Sequence, residues 1–399
     1  MAADKIKIFV DAHVFDKEFQ GAQTFIRELY TRLLADHPDL DIYFGASDTA
    51  NIGTIFPGLP KSNILPYKKR RIGLLRFVFD IPALIKKHQF NFAHFQYIAP
   101  KNSPGCKYLV TLHDVLFNDF KRDFSYLYRT SRNLLFGNSI KRAHIKTTVS
   151  AYSKQRICSY YNIPEADVHV IQNGVNNTLM HFQSSTQEAV EIVAGKFGIR
   201  NFILYTSRVE PRKNQLLLLN KYLKLQLYQR DIALVFIGKE SIKIPALTQL
   251  IKGLSDEQKK LFHWINQVNQ PDLAAFYRAC RLFVYPSKAE GFGIPPLEAA
   301  ICGVPVLCSS ATAMQSFHFF EPYTFNPANE KELERKLLLM INSPPSDSFT
   351  AKTAKQVLQQ YNWKKSSDIF YNLIQSNYKH ETKNSNFRHT GHPQLLRGV

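Results

Sequence analysis

Apolar positions along this chain of 399 residues repeat with two different periods. Short runs of β-branched and aromatic residues alternate with longer stretches in which apolar residues recur every three or four positions. The run "KIKIFVDA" (5–12) is typical of a buried strand, and "GAQTFIRELYTRLLADHP" (21–38) is typical of an amphipathic helix. Because such strands and helices alternate, the pattern favours an α/β fold with parallel sheets.

The alternation passes through two successive cycles. Further strands of the first cycle are predicted at 41–46, 90–97, 107–114, 146–153 and 168–175. Strands of the second cycle are predicted at 201–208, 232–239, 281–287 and 304–310. The sequence therefore predicts two Rossmann-like halves, joined near residues 175–200, and a polar, aperiodic, disordered tail from residue 377.

Basic residues outnumber acidic ones and are unevenly placed. The chain holds 51 Lys and Arg against 32 Asp and Glu, a formal net charge of +19. Residues 51–150 hold 17 basic residues against 4 acidic ones, and residues 351–399 hold 8 basic residues against 2 acidic ones. A basic first half suits a nucleic acid, an acidic membrane surface or a phosphorylated substrate, and it also suits a merely solubilising surface. Nucleic acid is disfavoured because no recognised nucleic-acid motif accompanies the charge.

Three further patterns disfavour membrane-spanning, secreted and zinc-binding proteins. The chain has no run of about 18 apolar residues. Its N-terminus lacks the basic-then-apolar plan of a signal peptide. The five cysteines are scattered without a C-x-x-C pair. We therefore expect reduced thiols in a cytoplasmic chain and no zinc site.

Two carboxylates flank a glycine-rich turn in "SKAEGFGIPPLEAAICGVPV" (287–306). The preceding strand ends at the edge where open α/β sheets bind ligands. Gly291 and Gly293 permit close approach of a ligand to the backbone, and the two prolines suit the start of a helix. We expect Glu290 in the loop and Glu298 in the first helical turn, both at one cleft. The helix dipole alone favours a carboxylate such as Glu298 there, but it does not account for Glu290.

Cations mark a second segment, "YTSRVEPRKNQ" (205–215). Arg208 and Lys213 flank a strand end that leads into a helix, which suits a phosphate or diphosphate. A solvated basic loop is the alternative. In the first half, "VTLHDVL" puts His113 and Asp114 just beyond a strand, although a single histidine more often packs than functions.

Two other features of the first half concern a loop and a metal motif. Gly21 lies in a predicted loop before a helix. Asp39 and Asp41 have the D-x-D spacing of a metal-dependent sugar transferase. They lie at the amino end of a strand, away from the ligand-binding edge, so we expect no metal there.

These segments resemble the signatures of a known family. "PSKAEGFGIPPLEAAICGVPV" (286–306) is similar to the E-x7-E signature of the family-4 retaining glycosyltransferases of the GT-B fold, also called group 1 glycosyl transferases. "ILYTSRVEPRKNQ" (203–215) is similar to their donor-diphosphate segment. The order of "TLHDVLF", "TVSAYSKQRI" and "VIQNGV" also agrees, and the resemblance covers most of residues 5–375.

The resemblance implies the GT-B fold, in which two Rossmann-like domains with parallel sheets face each other across a cleft. Residues 1–180 would form an acceptor-binding domain, and residues 181–355 would form a domain that binds a nucleotide-sugar. A helix over 356–376 would pack back on the first domain. Residues 377–399 would form the disordered basic tail.

The resemblance also implies roles for the site residues. Arg208 and Lys213 would hold the donor diphosphate without a metal. Glu290 would contact hydroxyls of the transferred sugar and move no proton, and Glu298 would bind the ribose. The expected catalytic residues are Glu290, Arg208, Lys213 and His113. The expected donor-binding residues are Arg208, Lys213, Glu290, Gly291, Phe292, Gly293, Ile294, Glu298 and Gly21. The acceptor side is expected at Gly21, His113 and Asp114.

The implied reaction moves a hexose or deoxyhexose, with retention, from a nucleotide-sugar to a glycan or lipid-linked acceptor. It would serve bacterial surface polysaccharides such as lipopolysaccharide, O-antigen or capsule, with no cofactor and no metal. The chain departs from the family at Asn266, and at Gln315 and Ser316, where a Pro-Glu pair is common. Because loop 311–322 usually faces the donor, a degenerate scaffold subunit remains an alternative. A sugar-nucleotide epimerase of the same fold is a further alternative.

A cluster of four cations, Lys68, Lys69, Arg70 and Arg71, precedes apolar residues in the first half. Residues 61–87 would rest on an anionic membrane surface, so that the enzyme reaches a lipid-linked acceptor. The alternative is that "RFVFDIPALIKK" (76–87) is an internal helix that covers the sheet. We expect a cytoplasmic chain, peripheral on the inner face of the cytoplasmic membrane.

Overall fold

The computed structural model describes residues 5–16, 21–68, 73–175, 179 and 185–389, with side chains described to residue 379. The strands of the first half are β1 (Ile6–Asp11), β2 (Leu40–Ala46), β3 (Ile64–Pro66), β4 (Phe92–Gln96), β5 (Lys107–Thr111), β6 (Ile145–Thr148) and β7 (Val168–Val170). Those of the second half are β8 (Phe202–Thr206), β9 (Ala233–Ile237), β10 (Phe262–Ile265), β11 (Leu282–Tyr285), β12 (Val306–Ser309) and β13 (Thr324–Phe325).

Within the described residues these strands form two sheets. The first has the order β3-β2-β1-β4-β5-β6-β7, and the second has the order β10-β9-β8-β11-β12-β13. All pairs are parallel. The α/β class with two Rossmann-like domains is therefore confirmed.

Helices connect the strands in both halves. Those of the first half are α1 (Gly21–Asp36), α2 (Thr49–Ile55), α3 (Asp80–His88), α4 (Leu116–Asp119), α5 (Tyr126–Arg142) and α6 (Ala151–Tyr161). Those that follow are α7 (Thr186–Phe197), α8 (Gln215–Lys224), α9 (Pro245–Lys252), α10 (Asp256–Lys260), α11 (Gln270–Ala279), α12 (Ile294–Ile301), α13 (Glu330–Asn342), α14 (Asp347–Gln360) and α15 (Trp363–His389). Ser150 and Ser185 cap α6 and α7, since each side chain accepts a backbone N–H of the first turn.

Helices cover both faces of the first sheet. Phe25 of α1 and Ile52 of α2 pack in one apolar core, which continues into the second half. Ile85 of α3, Ile140 of α5 and Ile157 of α6 pack in a separate core on the other face. Central strands are consequently buried on both sides, and their sequences are continuous apolar runs rather than alternating ones.

The last helix, α15, returns to the first half. Tyr371 donates its hydroxyl to Asp39 Oδ2 at 2.8 Å. At the start of this helix, a Cβ on Gly174 would lie 2.6 Å from the backbone nitrogen of Trp363. Only glycine fits there, so α15 closes tightly against the segment that joins the two halves.

The sequence misplaced several element boundaries. It missed β3, β10 and β13, because two to four residues are too few to show a period. The predicted helix over 356–376 is instead divided between α14 and α15, with the break at residues 361–362. The predicted disordered tail starts too early, since the helix continues to His389 through a stretch without Gly or Pro.

Other predictions fall partly outside the described residues. Of the predicted cationic cluster only Lys68 is described, and residues 390–399 of the predicted tail are also outside. All five cysteines are buried, and Cys158, Cys280, Cys302 and Cys308 are free thiols. None of the helices in the described part of the chain has the length and hydropathy needed to cross a membrane.

Candidate active site

Two loops meet at the carboxyl edge of the second sheet. One follows β8 and the other follows β11, which are neighbouring strands. The backbone N–H of Lys288 donates to the carbonyl of Arg212 at 2.8 Å, and Nη1 of Arg212 donates to the carbonyl of Ala289 at 2.8 Å. The two predicted motifs, which lie about 75 residues apart, therefore form one site.

Glu290 is the centre of this site and is buried. Its Oε1 accepts hydrogen bonds from Lys213 Nζ at 2.7 Å, from Ser287 Oγ at 2.6 Å and from the Tyr285 hydroxyl at 2.9 Å. Its Oε2 lies 3.3 Å from Nη1 of Arg212. Lys213 also donates to the Tyr285 hydroxyl at 3.0 Å, so the buried pair is tightly bonded.

The electrostatics of this pair keep both partners charged near neutral pH. Burial raises the pKa of Glu290, but the charges of Lys213 and Arg212 and the hydrogen bonds outweigh it and bring the pKa to about 2. Burial lowers the pKa of Lys213 to about 8, while Glu290 opposes that shift. A carboxylate with so low a pKa is a poor proton acceptor, which fits a positioning role better than that of a base.

Two arginines bracket Glu210 beside the pair. Nη2 of Arg208 lies 3.1 Å from Glu210 Oε1, and Nε of Arg212 lies 3.0 Å from Glu210 Oε2. The Arg208 side chain is 47% exposed, so it can turn toward a ligand. Sequence reasoning missed Arg212. Arg212 could have been predicted as a site residue, because it precedes Lys213 in a short helical turn that begins at Pro211.

The glycine-rich turn after Glu290 touches the first half of the chain. A Cβ on Gly291 would lie 2.8 Å from Asp114 Cβ, so only glycine permits this approach. The carbonyl of Gly291 accepts hydrogen bonds from Ser150 Oγ at 2.6 Å and from Ser153 Oγ at 3.1 Å. These serines, which were not predicted as site residues, hold the turn against the start of α6.

Other predicted residues of this turn are placed differently. Gly293 has a φ of +99° and directly precedes α12. Phe292 is buried against Phe317 and Tyr361, with ring centroids at 6.4 and 5.6 Å, so its side chain points into the core. Ile294 is half-buried and is the first residue of the helix.

Glu298 lies in the second turn of α12, which corrects the prediction of a first-turn carboxylate. The helix begins at Ile294, before the two prolines, because Gly293 supplies the left-handed conformation that precedes it. The Tyr277 hydroxyl donates to Glu298 Oε2 at 3.0 Å. Burial raises the pKa of Glu298 to about 7, and this hydrogen bond opposes the shift.

His113 ends a chain of buried polar side chains in the first half. Its Nε2 lies 2.6 Å from Gln96 Oε1, and Gln96 Nε2 lies 2.9 Å from His94 Nε2. His94 Nδ1 lies 2.8 Å from the Tyr30 hydroxyl. Because an amide oxygen only accepts, Nε2 of His113 carries the proton and Nδ1 is left as an acceptor. Burial lowers the pKa of His113 to about 4, so the ring is neutral at pH 7.

The remaining predicted residues of the first half are Asp114 and Gly21. Asp114 is half-buried, and burial raises its pKa, while Arg212 opposes the shift. Gly21 is the exposed first residue of α1 rather than a loop residue, and a Cβ there would meet open space. Asp39 and Asp41 are held by protein donors, among them Tyr371 and Asn63.

Asp11 is a buried carboxylate that sequence reasoning did not select. It ends β1 and accepts a hydrogen bond from the Tyr67 hydroxyl at 2.8 Å. His13 Nδ1 and Arg76 Nη2 lie 3.0 and 3.4 Å from its Oδ2. Burial raises the pKa of Asp11, but His13 and Arg76 more than offset this and hold it well below its usual range.

The loop that departs from the family lines a cavity of about 750 Å³ between the two halves. Phe120 contributes from the first half, and Lys288, Thr312 and Gln315 contribute from the second. Thr312 Oγ1 accepts the backbone N–H of Glu290 at 2.8 Å. The altered loop is therefore part of the wall of the site.

Two family models match the chain one after the other. The model described as Glycosyltransferase Family 4 matches residues 19–179. The model described as Glycosyl transferases group 1 matches residues 187–357.

Curated relatives match parts of the chain. The serotype-specific mannosyltransferase WbdA of Escherichia coli is 27% identical over 246 residues, which are 59% of this chain and 30% of that protein. The O-antigen chain mannosyltransferase B of Escherichia coli is 33% identical over 178 residues, which are 44% of this chain and 46% of that protein. The matched stretch thus spans less than half the length of either relative.

Solved structures match nearly the whole chain. Sucrose-phosphate synthase (tll1590) from Thermosynechococcus elongatus has a TM-score of 0.71 at 16% identity and covers 94% of this chain and 100% of its own. Anabaena HepE in complex with UDP and glucose has a TM-score of 0.68 at 16% identity, with coverages of 93% and 100%. At these identities the likeness shows the fold alone.

Proposed function

Because the chain belongs to the family-4-like group 1 glycosyltransferases of the GT-B fold, we propose that it is a retaining glycosyltransferase. It moves a hexose or deoxyhexose from a nucleotide-sugar to a glycan or lipid-linked acceptor in bacterial surface polysaccharide synthesis. The observation that carries this proposal is the meeting of both motifs at Glu290, with Asp114 of the other half packed against the adjoining Gly291.

The donor lies across the carboxyl edge of the second sheet. Arg208 turns from Glu210 to the diphosphate. The ammonium group of Lys213 donates two of its protons to Glu290 and Tyr285 and its third to the diphosphate. Arg212 adds a second guanidinium close by. These cations offset the charge that develops on the leaving diphosphate, so no metal is needed.

The rest of the donor is held by carboxylates and by the turn between them. Glu298 accepts from the ribose hydroxyls, and the free lone pairs of Glu290 accept from hydroxyls of the sugar. The backbone of Gly291 and Gly293 closes on the sugar, and Nδ1 of His113 accepts from a further hydroxyl. Gly21 leaves space where acceptor and diphosphate meet.

Transfer proceeds by attack on the same face that the diphosphate leaves. The leaving phosphate oxygen takes the proton of the acceptor hydroxyl as the new glycosidic bond forms and the bond to phosphate breaks. No side-chain base is required, and the low pKa of Glu290 supports this assignment. The anomeric configuration is retained because attack and departure share one face.

The sugar class rests on the relatives. Both relatives described above are named mannosyltransferases, which favours mannose among the hexoses. The acceptor is the growing surface glycan or its lipid-linked start. The chain works in the cytoplasm and touches the inner leaflet through residues 61–87, where Lys68 and Lys86 are among the described cations.

A product assay tests this proposal against the two alternatives. The protein is incubated with each nucleotide-sugar alone and with a lipid-linked glycan acceptor, and the product is examined by nuclear magnetic resonance. We expect transfer only with acceptor, and an anomeric configuration equal to that of the donor. Conversion of the donor without acceptor would identify an epimerase, and binding without turnover would identify a scaffold subunit.

A further inference from the structure

The cavity of about 750 Å³ between the two halves is a compartment separate from the residues proposed for the donor. Arg208, Lys213 and Glu298 do not line it. We call it the flank cavity, and its wall includes Phe120, Asn214, Lys288, Thr312, Gln315 and Asn326. Donor binding alone therefore does not account for this space.

The flank cavity and Glu298 belong to opposite faces of the second sheet. Helix α8 connects β8 to β9, whereas α12 connects β11 to β12, and these connections run in opposite directions across the strand order. Because such crossovers are right-handed, the two helices cover opposite faces. Asn214 of the wall directly precedes α8, and Glu298 lies on α12. Glu330 of the wall begins α13 and binds Lys221 of α8 at 2.8 Å, so the flank cavity lies on the α8 face.

The wall of the flank cavity also contacts the loop that carries Glu290. Thr312 Oγ1 accepts the backbone N–H of Glu290 at 2.8 Å, and Lys288 is bonded to the carbonyl of Arg212. Thr312 has a φ of +54°, which a β-branched residue rarely adopts. Such strain is typical of functional sites, where the surroundings hold it. Since the proposed function places the transferred sugar at Glu290, a ligand in the flank cavity lies beside that sugar, away from the ribose.

The polar lining of the flank cavity is mostly neutral. Thr312, Gln315 and Asn326 carry hydroxyl and amide groups, which donate and accept hydrogen bonds as sugar hydroxyls do. The charged residues of the described wall are Lys288 and Glu330, one of each sign. A diphosphate would need several cations, and a lipid chain would need a continuous apolar wall. The lining therefore suits a neutral saccharide.

The wall is held in place before any ligand binds. Asn326 Oδ1 accepts the backbone N–H of Ala328 at 2.9 Å, and the Ser310 hydroxyl donates to the carbonyl of Phe325 at 3.0 Å. Phe120 adds an aromatic ring from the first half, and such a ring suits the apolar face of a pyranose. Because the wall is ordered, a saccharide would bind there at little cost in conformational entropy.

We propose that the flank cavity binds the saccharide part of the acceptor, next to the sugar unit that receives the transfer. This inference rests on the proposed function, because it takes Glu290 as the position of the transferred sugar. The resemblance implied acceptor contacts only at Gly21, His113 and Asp114 of the first half, whereas the flank cavity adds contacts from the second. The departure from the family at Gln315 then concerns the choice of acceptor.

Saccharide binding in the absence of donor tests this inference. Full-length protein is titrated with α-mannotriose, maltotriose, cellotriose and inorganic pyrophosphate, and binding is followed by saturation-transfer nuclear magnetic resonance. We expect at least one trisaccharide to bind the wild type and pyrophosphate not to displace it. Phe120→Ala should weaken this binding about tenfold through the loss of one aromatic contact. Ala328→Trp, which fills the flank cavity from an exposed position of its wall, should abolish it.

The matched control is Ala246→Trp, because Ala246 is exposed on α9 and does not line the flank cavity. This variant should bind the trisaccharide as the wild type does. Donor-induced thermal shifts, measured on the same proteins, should be unchanged in Ala328→Trp.

Several results would overturn the inference. One is that no trisaccharide binds the wild type, and another is that Ala328→Trp binds it equally well. Displacement of the trisaccharide by pyrophosphate, or loss of the donor shift in Ala328→Trp, would show that the flank cavity holds donor phosphates instead. Trisaccharide binding without any donor shift in the wild type would support the saccharide site and contradict the proposed function.

Discussion

At the scale of single residues, the bonded pair of Lys213 and Glu290 carries both stability and function. Removing one partner leaves the other charge buried, although Arg212 still lies near Glu290. We expect Lys213→Met and Glu290→Gln each to lower the free energy of unfolding by about 3–5 kcal/mol. The double variant should lose much less than the sum. Denaturant unfolding measures all four proteins, and additive losses would show that the pair is not coupled.

The pKa of Glu298 gives a second prediction at this scale. Because its pKa rises from 4.5 unfolded to about 7 folded, ionisation opposes folding. The stability associated with the protonated group is present below pH 4.5 and lost as pH rises through about 7. The control is Glu298→Gln, whose amide keeps an acceptor for Tyr277 but does not titrate. Between pH 4.5 and about 7, the free energy of unfolding of the wild type should fall by on the order of 3 kcal/mol relative to this variant. Denaturant unfolding midpoints of the two proteins measure this difference. If both midpoints change equally over that pH range, the pKa of Glu298 is not raised.

At the scale of elements, the start of α6 joins the two halves. The Ser150 side chain caps the helix, and its hydroxyl also donates to the carbonyl of Gly291. The Ser153 hydroxyl is not the cap but donates to the same carbonyl. We call each of these hydrogen bonds to Gly291 a bridge, because it joins the two halves. Ser150→Asp keeps a good cap but replaces the donor with a carboxylate facing that carbonyl. We expect Ser150→Asp to open the cleft and raise the radius of gyration in X-ray scattering while the melting temperature stays near that of the wild type.

Ser150→Ala is the matched comparison, since it removes both the cap and the bridge. It should lower stability by about 1 kcal/mol, the usual cost of losing a serine cap. Ser153→Ala removes the weaker bridge alone and should have an intermediate effect on scattering. If Ser150→Asp scatters as the wild type does, the bridge does not hold the two halves together.

The elements also show how far the sequence predicts this molecule. The long central strands and amphipathic helices follow from their periods, and the two motifs mark the ends of β8 and β11. The partners within the site do not follow, because Lys213 and Glu290 meet across 77 positions. Gln96 was missed for the same reason, since it looks like an ordinary strand residue until the fold brings it to His113.

At the scale of the whole molecule, the proposed function gives the two halves different tasks. The second half supplies the cations and carboxylates that suit a nucleotide-sugar. The first half presents His113 and Asp114 to the same cleft, since Asp114 packs against Gly291. In the proposed function, the donor binds the second half and the acceptor approaches from the first.

The measurement that tests the central claim most directly is a thermal-shift panel of UDP-, GDP-, dTDP- and ADP-sugars against the wild type and Arg208→Ala. Arg208 is suited to the test because its side chain is 47% exposed and its removal leaves the buried network in place. We expect one class of nucleotide-sugar to raise the melting temperature of the wild type, since a ligand that binds only the folded state stabilises it. Arg208→Ala should melt normally and lose most of that shift. If none of these donors shifts the wild type, or if Arg208→Ala responds equally, the cleft beside Glu290 is not the donor site.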